Sequence, residues 1–171
     1  TMTGGNVTVT TSTGDGIDAG DGAIAISGGT INITSTSADV KAIKTGVNTI
    51  TISGGTFNLT VSGAQSKGIS AKGNIAISGG TFSVTISGTT VLTASGSGFD
   101  PSYCTAFKSD GNIVINEGTF TVNALVGANG GKGFSADGEI TITGGNFTTN
   151  TAGNGGTYTN ASGIADSFST A

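Results

Sequence analysis

The sequence predicts an all-β chain wound as a single-stranded parallel β-helix, a solenoid of about six to seven turns. Three observations carry that expectation: a ten-residue pattern recurs along the chain, a glycine corner sits inside each copy, and no helical periodicity fills the gaps. The pattern reads IAISGGTINI at 24–33, ITISGGTFNL at 50–59, IAISGGTFSV at 75–84, IVINEGTFTV at 113–122 and ITITGGNFTT at 140–149. A partial copy, TGGNVTVT, begins at residue 3. The first corner residue falls at 4, 28, 54, 79, 117 and 144, so the spacings are 24, 26, 25, 38 and 27. A period near 25 with short alternating runs is what a solenoid built from one strand-rich unit per turn would show.

Each turn divides into three runs. The first carries Ile17, Ile43, Ile69, Phe107 or Phe134, with Ile164 read as the start of one more turn. The second is I-x-I, as in Ile24 and Ile26 or Ile113 and Ile115. The third follows the glycines and brings Val7, Ile31, Phe57, Phe82, Phe120 and Phe147 into one column. Alternation places these side chains inward and the intervening Thr, Ser, Ala and Asn outward. Equivalent residues of successive turns then lie about 4.8 Å apart. Glu117 replaces the first corner glycine in one copy, so only the second position, Gly118 there, is expected to need glycine. A phosphate-cradling role for the glycines would require a following helix, and none is patterned.

A second corner, rich in Asp-Gly and Asn, precedes the I-x-I run. The third corner absorbs two insertions, at 87–104 and 151–162, within a single domain spanning 1–171. The first makes its turn 13 residues longer than the one before (38 − 25). Long loops on one edge of a rigid solenoid are where binding residues concentrate. The two ends of the stack read as uncapped, an invitation to end-to-end self-association.

Composition narrows the function. Of 171 residues only 9% are charged, the net charge is −4, lysine occurs six times, and arginine and histidine are absent. A nucleic-acid partner calls for a basic face, which this balance does not provide. No apolar run approaches the roughly 20 residues of a membrane-spanning helix. The single cysteine, Cys104, forms no internal disulfide. Cysteine scarcity and a Gly/Ser/Thr/Asn surface fit an exported, secreted or cell-surface bacterial protein, with a removed leader ahead of Thr1 as the expectation.

Without histidine, the commonest general base and the His-containing metal sites drop out. A lysine base among Lys41, Lys44, Lys67 and Lys132 is conceivable, but a non-enzymatic role is the expectation. Asp15 and Asp18 flank an inward isoleucine and align with Lys41 and Lys44, which suggests cross-turn ion pairs. The acids also form candidate calcium sites. Asp15, Asp18 and Asp21 lie within seven residues, and Asp110 and Asp137 occupy the same corner of adjacent turns. Like charges stacked there want either separation or a cation.

The exposed-aromatic candidates are Phe99, Tyr103 and Tyr158, all in the insertions. Aromatic rings suit the C–H faces of sugars, and Asp100, Asn154 and Asn160 nearby could fix orientation by hydrogen bonds. Packing down to anchor the loops is the other reading of the same rings.

The units SKGISAKGNIAISGGTFSVTISG and GKGFSADGEITITGGNFTTNTAGNGGTYTNAS resemble secreted bacterial carbohydrate-binding domains with a polysaccharide-lyase-like, right-handed β-helix. That resemblance covers nearly the whole chain. It implies binding of plant cell-wall polysaccharide, with bound calcium and no catalysis. The Lys-Gly of the motif is missing from the copies starting at Gly14, Val40 and Thr105. The pectate-cleaving lyases on this scaffold use an arginine base, which this chain lacks. The competing expectation is a structural subunit that stacks end to end into a filament or matrix.

Overall fold

Each copy of the repeat forms three short parallel strands, and the copies stack into a β-solenoid of about six turns. The computed structural model describes residues 1–125 and 127–169. Among these there are eighteen β-strands and no helix, hence no helix long and apolar enough to cross a membrane.

Three parallel sheets run along the axis. The first is built from β2 (Ile17–Asp18) and the lysine-bearing runs β5 (Lys41–Thr45), β8 (Lys67–Ala71), β12 (Thr105–Ser109) and β14 (Lys132–Ala136). The I-x-I runs form the second, through β3 (Ile24–Ile26), β6 (Ile50–Ile52), the start of β9 (Ile75–Ile86), the start of β13 (Ile113–Ala124) and β15 (Ile140–Ile142). The third joins β1 (Asn6–Thr11), β4 (Thr30–Ser35), β7 (Thr56–Val61), the ends of β9 and β13, and β16 (Asn146–Thr151). In β9 and β13 the chain runs through the glycine corner as one strand.

That corner departs from the expectation that only its second residue needs glycine: both positions are constrained, the second by conformation and the first by the backbone of the turn before. The second glycine has positive φ in every copy, from 87° at Gly5 to 131° at Gly118. A Cβ on the first glycine would meet the serine carbonyl of the preceding turn, 2.6 Å away at Gly54 and Gly79. At Glu117 the ladder shifts register on either side of the residue, which opens room for a side chain.

The core is a pair of aromatic ladders. Phe57, Phe82, Phe120 and Phe147 stack at 4.6–4.7 Å between centroids. Phe107 and Phe134 stack at 4.8 Å and meet the first ladder edge-on. Isoleucines of the second sheet fill the remaining wall. Phe147 keeps its place in the ladder but is 37% exposed, because no further turn lies over it among the described residues. Cys104 is buried, and desolvation pushes its thiol up to about 11, so it packs as a protonated, inert group.

Two sequence readings need correction. Ile164 does not begin another turn: it lies 62% exposed in the bend between β17 (Gly156–Thr159) and β18 (Ala165–Phe168), which pair antiparallel. The second insertion is therefore a hairpin reaching Phe168 rather than a loop ending at 162. The other insertion is likewise a hairpin, β10 (Val91–Ser95) against β11 (Gly98–Ser102).

Candidate functional site

The two hairpins leave the same edge of the solenoid two turns apart, yet they meet. Phe99 of β11 bridges to Asn160, and the Ser97 amide donates to the Ala161 carbonyl at 2.8 Å. Asn129, in the turn between them, joins their bases. Its carbonyl accepts from the Thr90 amide (3.0 Å) and hydroxyl (2.7 Å), and its Oδ1 accepts from the Asn154 amide (2.9 Å).

Where the hairpins fold back on the lysine-bearing sheet, side chains converge. The Tyr103 and Phe168 rings meet edge-on at 6.0 Å, and the Tyr158 ring lies tilted 6.2 Å from Phe168. Phe168 is seated where side chains are lacking: a Cβ at Gly130 or Gly156 would come within 2.6–2.7 Å of its ring. The Tyr158 hydroxyl donates to Asp166 Oδ2 at 3.1 Å. Lys132 Nζ stands 3.8 Å from the centroid of the Tyr103 ring.

Beneath β11 a cleft of about 120 Å³ is lined by Lys67, Pro101, Ser102, Tyr103, Thr105, Lys108 and Ser135. Strand register explains this lining. Lys41, Lys67, Thr105 and Lys132 pair in sequence across four turns, and Lys44, Ser70, Lys108 and Ser135 form the parallel column. Five of the six lysines thus share one outward face. Lys67 Nζ donates to the Gln65 carbonyl (2.8 Å) and to Ser102 Oγ of the covering hairpin (3.3 Å).

The charges on this face differ in their partners. Lys41 pairs with Asp39, and Lys44 and Lys108 each hold two carboxylates. Among the described residues no carboxylate lies within ion-pair distance of Lys67 or Lys132. Burial lowers the pKa of both, helped by Lys41 beside Lys67 and by Lys108 beside Lys132. Burial first, then the fields of Asp166 and Asp100, raises the Tyr103 phenol. Tyr103 is therefore neutral at ordinary pH, and the cleft offers a ring, hydroxyls, Lys67 without an acidic partner and Lys108 with two, while Lys132 stands over the ring.

The sequence-selected residues fall as follows. Tyr103 and Tyr158 share the Phe168 contact, and burial first, then Asp166, raises both phenols, with Asp100 adding the smallest contribution. Phe99 is 42% exposed on the hairpin and is brought to Asn160. Asn160 Oδ1 accepts from the Ser162 and Ile164 amides, so it caps its own turn. Asn154 is held by Asn129 and Gly130 at the hairpin base. Phe168, Asp166 and Ser102 were not legible as members of this group. The alternation of A-D-S-F opposite G-T-Y-T was the available hairpin signal.

Among the acids, Asp15 and Asp18 both lie on Lys44, at 3.1 and 3.2 Å. Asp15 also accepts the Lys41 amide at 2.7 Å, while the Lys41 ammonium turns to Asp39 rather than to Asp15. Asp110 and Asp137 both reach Lys108, and Lys72 lies 3.8 Å from Asp110. Asp21 is exposed, and its carbonyl accepts from the Asn48 amide. Among the described residues no three His, Cys, Asp or Glu side chains gather as a metal-holding group.

Comparison with known proteins gives one family. A model described as carbohydrate-binding domain-containing protein matches residues 1–156. No curated protein and no solved structure matches the chain.

Proposed function

The chain belongs to the family of carbohydrate-binding domain-containing proteins, and from that premise we propose that it is a non-catalytic, extracellular polysaccharide-binding β-helix that takes acidic sugars at the hairpin-covered cleft. One observation carries the reading: Lys67 and Lys108 line the cleft with Tyr103, Ser102, Thr105 and Ser135, Lys132 stands over the Tyr103 ring, and among the described residues neither Lys67 nor Lys132 has a carboxylate partner. A sugar ring laid on the phenol brings its C–H face against the aromatic surface. A carboxylate on that ring would give the two ammoniums the charge-assisted partner they lack. Hydroxyls of the lining fix orientation. Lys41, Lys67 and Lys132 recur along one column with Thr105 between the last two, so an extended polymer would run along the axis.

Calcium belongs to this proposal as an assisting ion at Asp15, Asp18 and Asp21 or at Asp110 and Asp137. There it competes with Lys44 and Lys108, which already stand between the acids. A second reading, end-to-end association, draws on the exposed apolar side chains of the last described turn, Ile140, Ile142 and Phe147. A second copy or further turns of a longer chain would cover them, and sedimentation at rising concentration tests the former.

Affinity electrophoresis in gels containing polygalacturonate or neutral galactan tests the main reading. The protein should be retarded by the acidic polymer, and Lys67→Met with Lys132→Met should abolish the retardation. Equal retardation by the neutral polymer, or an unaffected double variant, would remove the acidic-sugar assignment.

A further inference from the structure

The phenylalanine-bearing sheet presents a second, different surface. Its inward residues build the core, so its outward residues form a separate array whose register is continuous over six strands. Thr30, Thr56, Thr81 and Thr119 make one rank. Asn32, Asn58, Ser83 and Thr121 make the next, and Thr34, Thr60, Thr85 and Asn123 the third. β1 and β16 extend all three ranks with Asn and Thr alone. None of these positions is buried. Strand geometry spaces the ranks by about 6.6 Å and the rows by about 4.8 Å, giving a face of roughly 13 by 24 Å.

Three properties of this face select its partner. The first is charge: none of these six strand segments carries an ionisable side chain, whereas five of the six lysines share the neighbouring sheet. The matching partner is uncharged. The second is order. Threonine is β-branched and stiff about χ1, and the amides are tied to one another, Asn32 to Asn6 at 3.1 Å, Asn58 to Asn32 at 2.8 Å and Asn150 to Asn123 at 2.9 Å. Exchanging one hydroxyl–water hydrogen bond for another is nearly neutral. Such contacts sum to binding only when the partner is itself rigid and repeats in two directions. The third is chemistry. No aromatic ring points outward from this face, so the apolar platform that polymer sugars favour is lacking. It offers methyls, hydroxyls and amides at fixed intervals.

We infer that this face binds ice, a crystalline lattice of uncharged, hydrogen-bonding water. The outward threonines of the I-x-I sheet, such as Thr51, are interrupted by Ala25, Ala76 and Val114 and form no comparable array. The face is distinct from the lysine-lined cleft, so this inference and the polysaccharide reading stand or fall separately.

The test uses ice itself, measuring thermal hysteresis and adsorption of fluorescently labelled protein to a single ice crystal. The wild type should adsorb and shape the crystal. Asn58→Lys with Ser83→Lys, at the centre of the array, should lose at least tenfold of the hysteresis, while Thr51→Lys on the neighbouring sheet should keep it. Should the lysine pair fold poorly, Thr60→Tyr with Thr85→Tyr gives the same readout, since tyrosine is favoured in strands. Absence of adsorption by the wild type, or full hysteresis in the central variants, overturns the inference. So does retention on microcrystalline cellulose or chitin that the central variants lose while ice is ignored, which would make the lattice a polymer crystal.

Discussion

Tyr103 holds the Lys132 ammonium over its ring, 3.8 Å from Nζ to the centroid, and so joins the first hairpin to a strand two turns along the lysine column. The contact keeps Lys132 oriented while burial costs it hydration. Cation–π contacts contribute about 0.5–2 kcal/mol, the more as water is excluded.

The lowered pKa values of Lys67 and Lys132 set a pH dependence. Binding of an acidic polymer needs both lysines charged. It should hold at neutral pH and weaken as pH rises through their lowered values, below the ordinary 10.5. Stability should move the other way. Between the folded and unfolded values the unfolded chain binds more protons, so these two groups add stability as pH rises through that interval. Affinity electrophoresis and melting curves from pH 7 to 10.5 check the pair of trends. An affinity that holds until ordinary lysine titrates would place the anion elsewhere.

The aromatic ladder makes Phe120 the most demanding core position, since it stacks on Phe82 and Phe147 and meets Phe107 and Phe134 edge-on. Phe120→Ala should cost about 3–5 kcal/mol through the cavity it leaves. Phe147→Ala, at a 37% exposed position, should cost clearly less. Urea unfolding of the two variants measures the difference, and equal losses would contradict the ladder's gradient of burial.

At the corner, Gly118→Ala places a Cβ 2.9 Å from the Phe120 ring at a φ of 131°. Strain of this kind costs about 1–3 kcal/mol. Glu117→Gly, one residue earlier, should change stability by less than about 1 kcal/mol, because the register shift already serves that position. Reversed magnitudes in denaturant melts would mean that the first corner residue is the constrained one.

How much of this was legible follows from range. The solenoid, its inward columns and the second-glycine requirement come from local periodicity repeated six times, and repetition averages out ambiguity. The lysine column was visible because Lys41 and Lys67 recur at one repeat position. The hairpins were not, because antiparallel pairing of 156–159 with 165–168 interrupts the repeat, and Ile164 matched the next turn's pattern well enough to be read as part of it. Phe168 carries no repeat signal, and its seat exists only because Gly130 and Gly156 come together in space. The ion pairs were half legible. Alignment correctly gave Asp18 opposite Lys44, but the choice of Lys41 for Asp39 depends on a neighbour two residues away.

Lys44 bridges Asp15 and Asp18, and Lys108 bridges Asp110 and Asp137, which bears on calcium. Removing Lys44 would leave Asp15 and Asp18 facing each other uncompensated. The expected outcome is a wild-type melting temperature that chelator lowers and calcium restores, with a larger calcium response in Lys44→Met, since an ion that binds only the native state stabilises it by mass action. A wild-type melting temperature indifferent to chelator and to added calcium would retire the ion and leave these acids to their lysines.

The tyrosines of the cleft serve two roles that substitution can separate. Tyr103 lines the cleft and holds Lys132, whereas Tyr158 faces Phe168 and gives its hydroxyl to Asp166. Tyr103→Ala should therefore weaken retention by acidic polymer about tenfold, or about 1.4 kcal/mol, with a small change in melting. Tyr158→Phe removes one exposed hydrogen bond and should leave both stability and binding nearly intact. Phe168→Ala empties the seat between Gly130 and Gly156 and should free the second hairpin, seen as faster proteolysis near 160–164 and a partial loss of binding as the cleft's support goes. Calorimetric melts, limited proteolysis and affinity gels on the three variants resolve the roles. Loss of binding in Tyr158→Phe equal to that in Tyr103→Ala would move the sugar contact onto the second hairpin, and unchanged binding in Tyr103→Ala would remove the ring from the site.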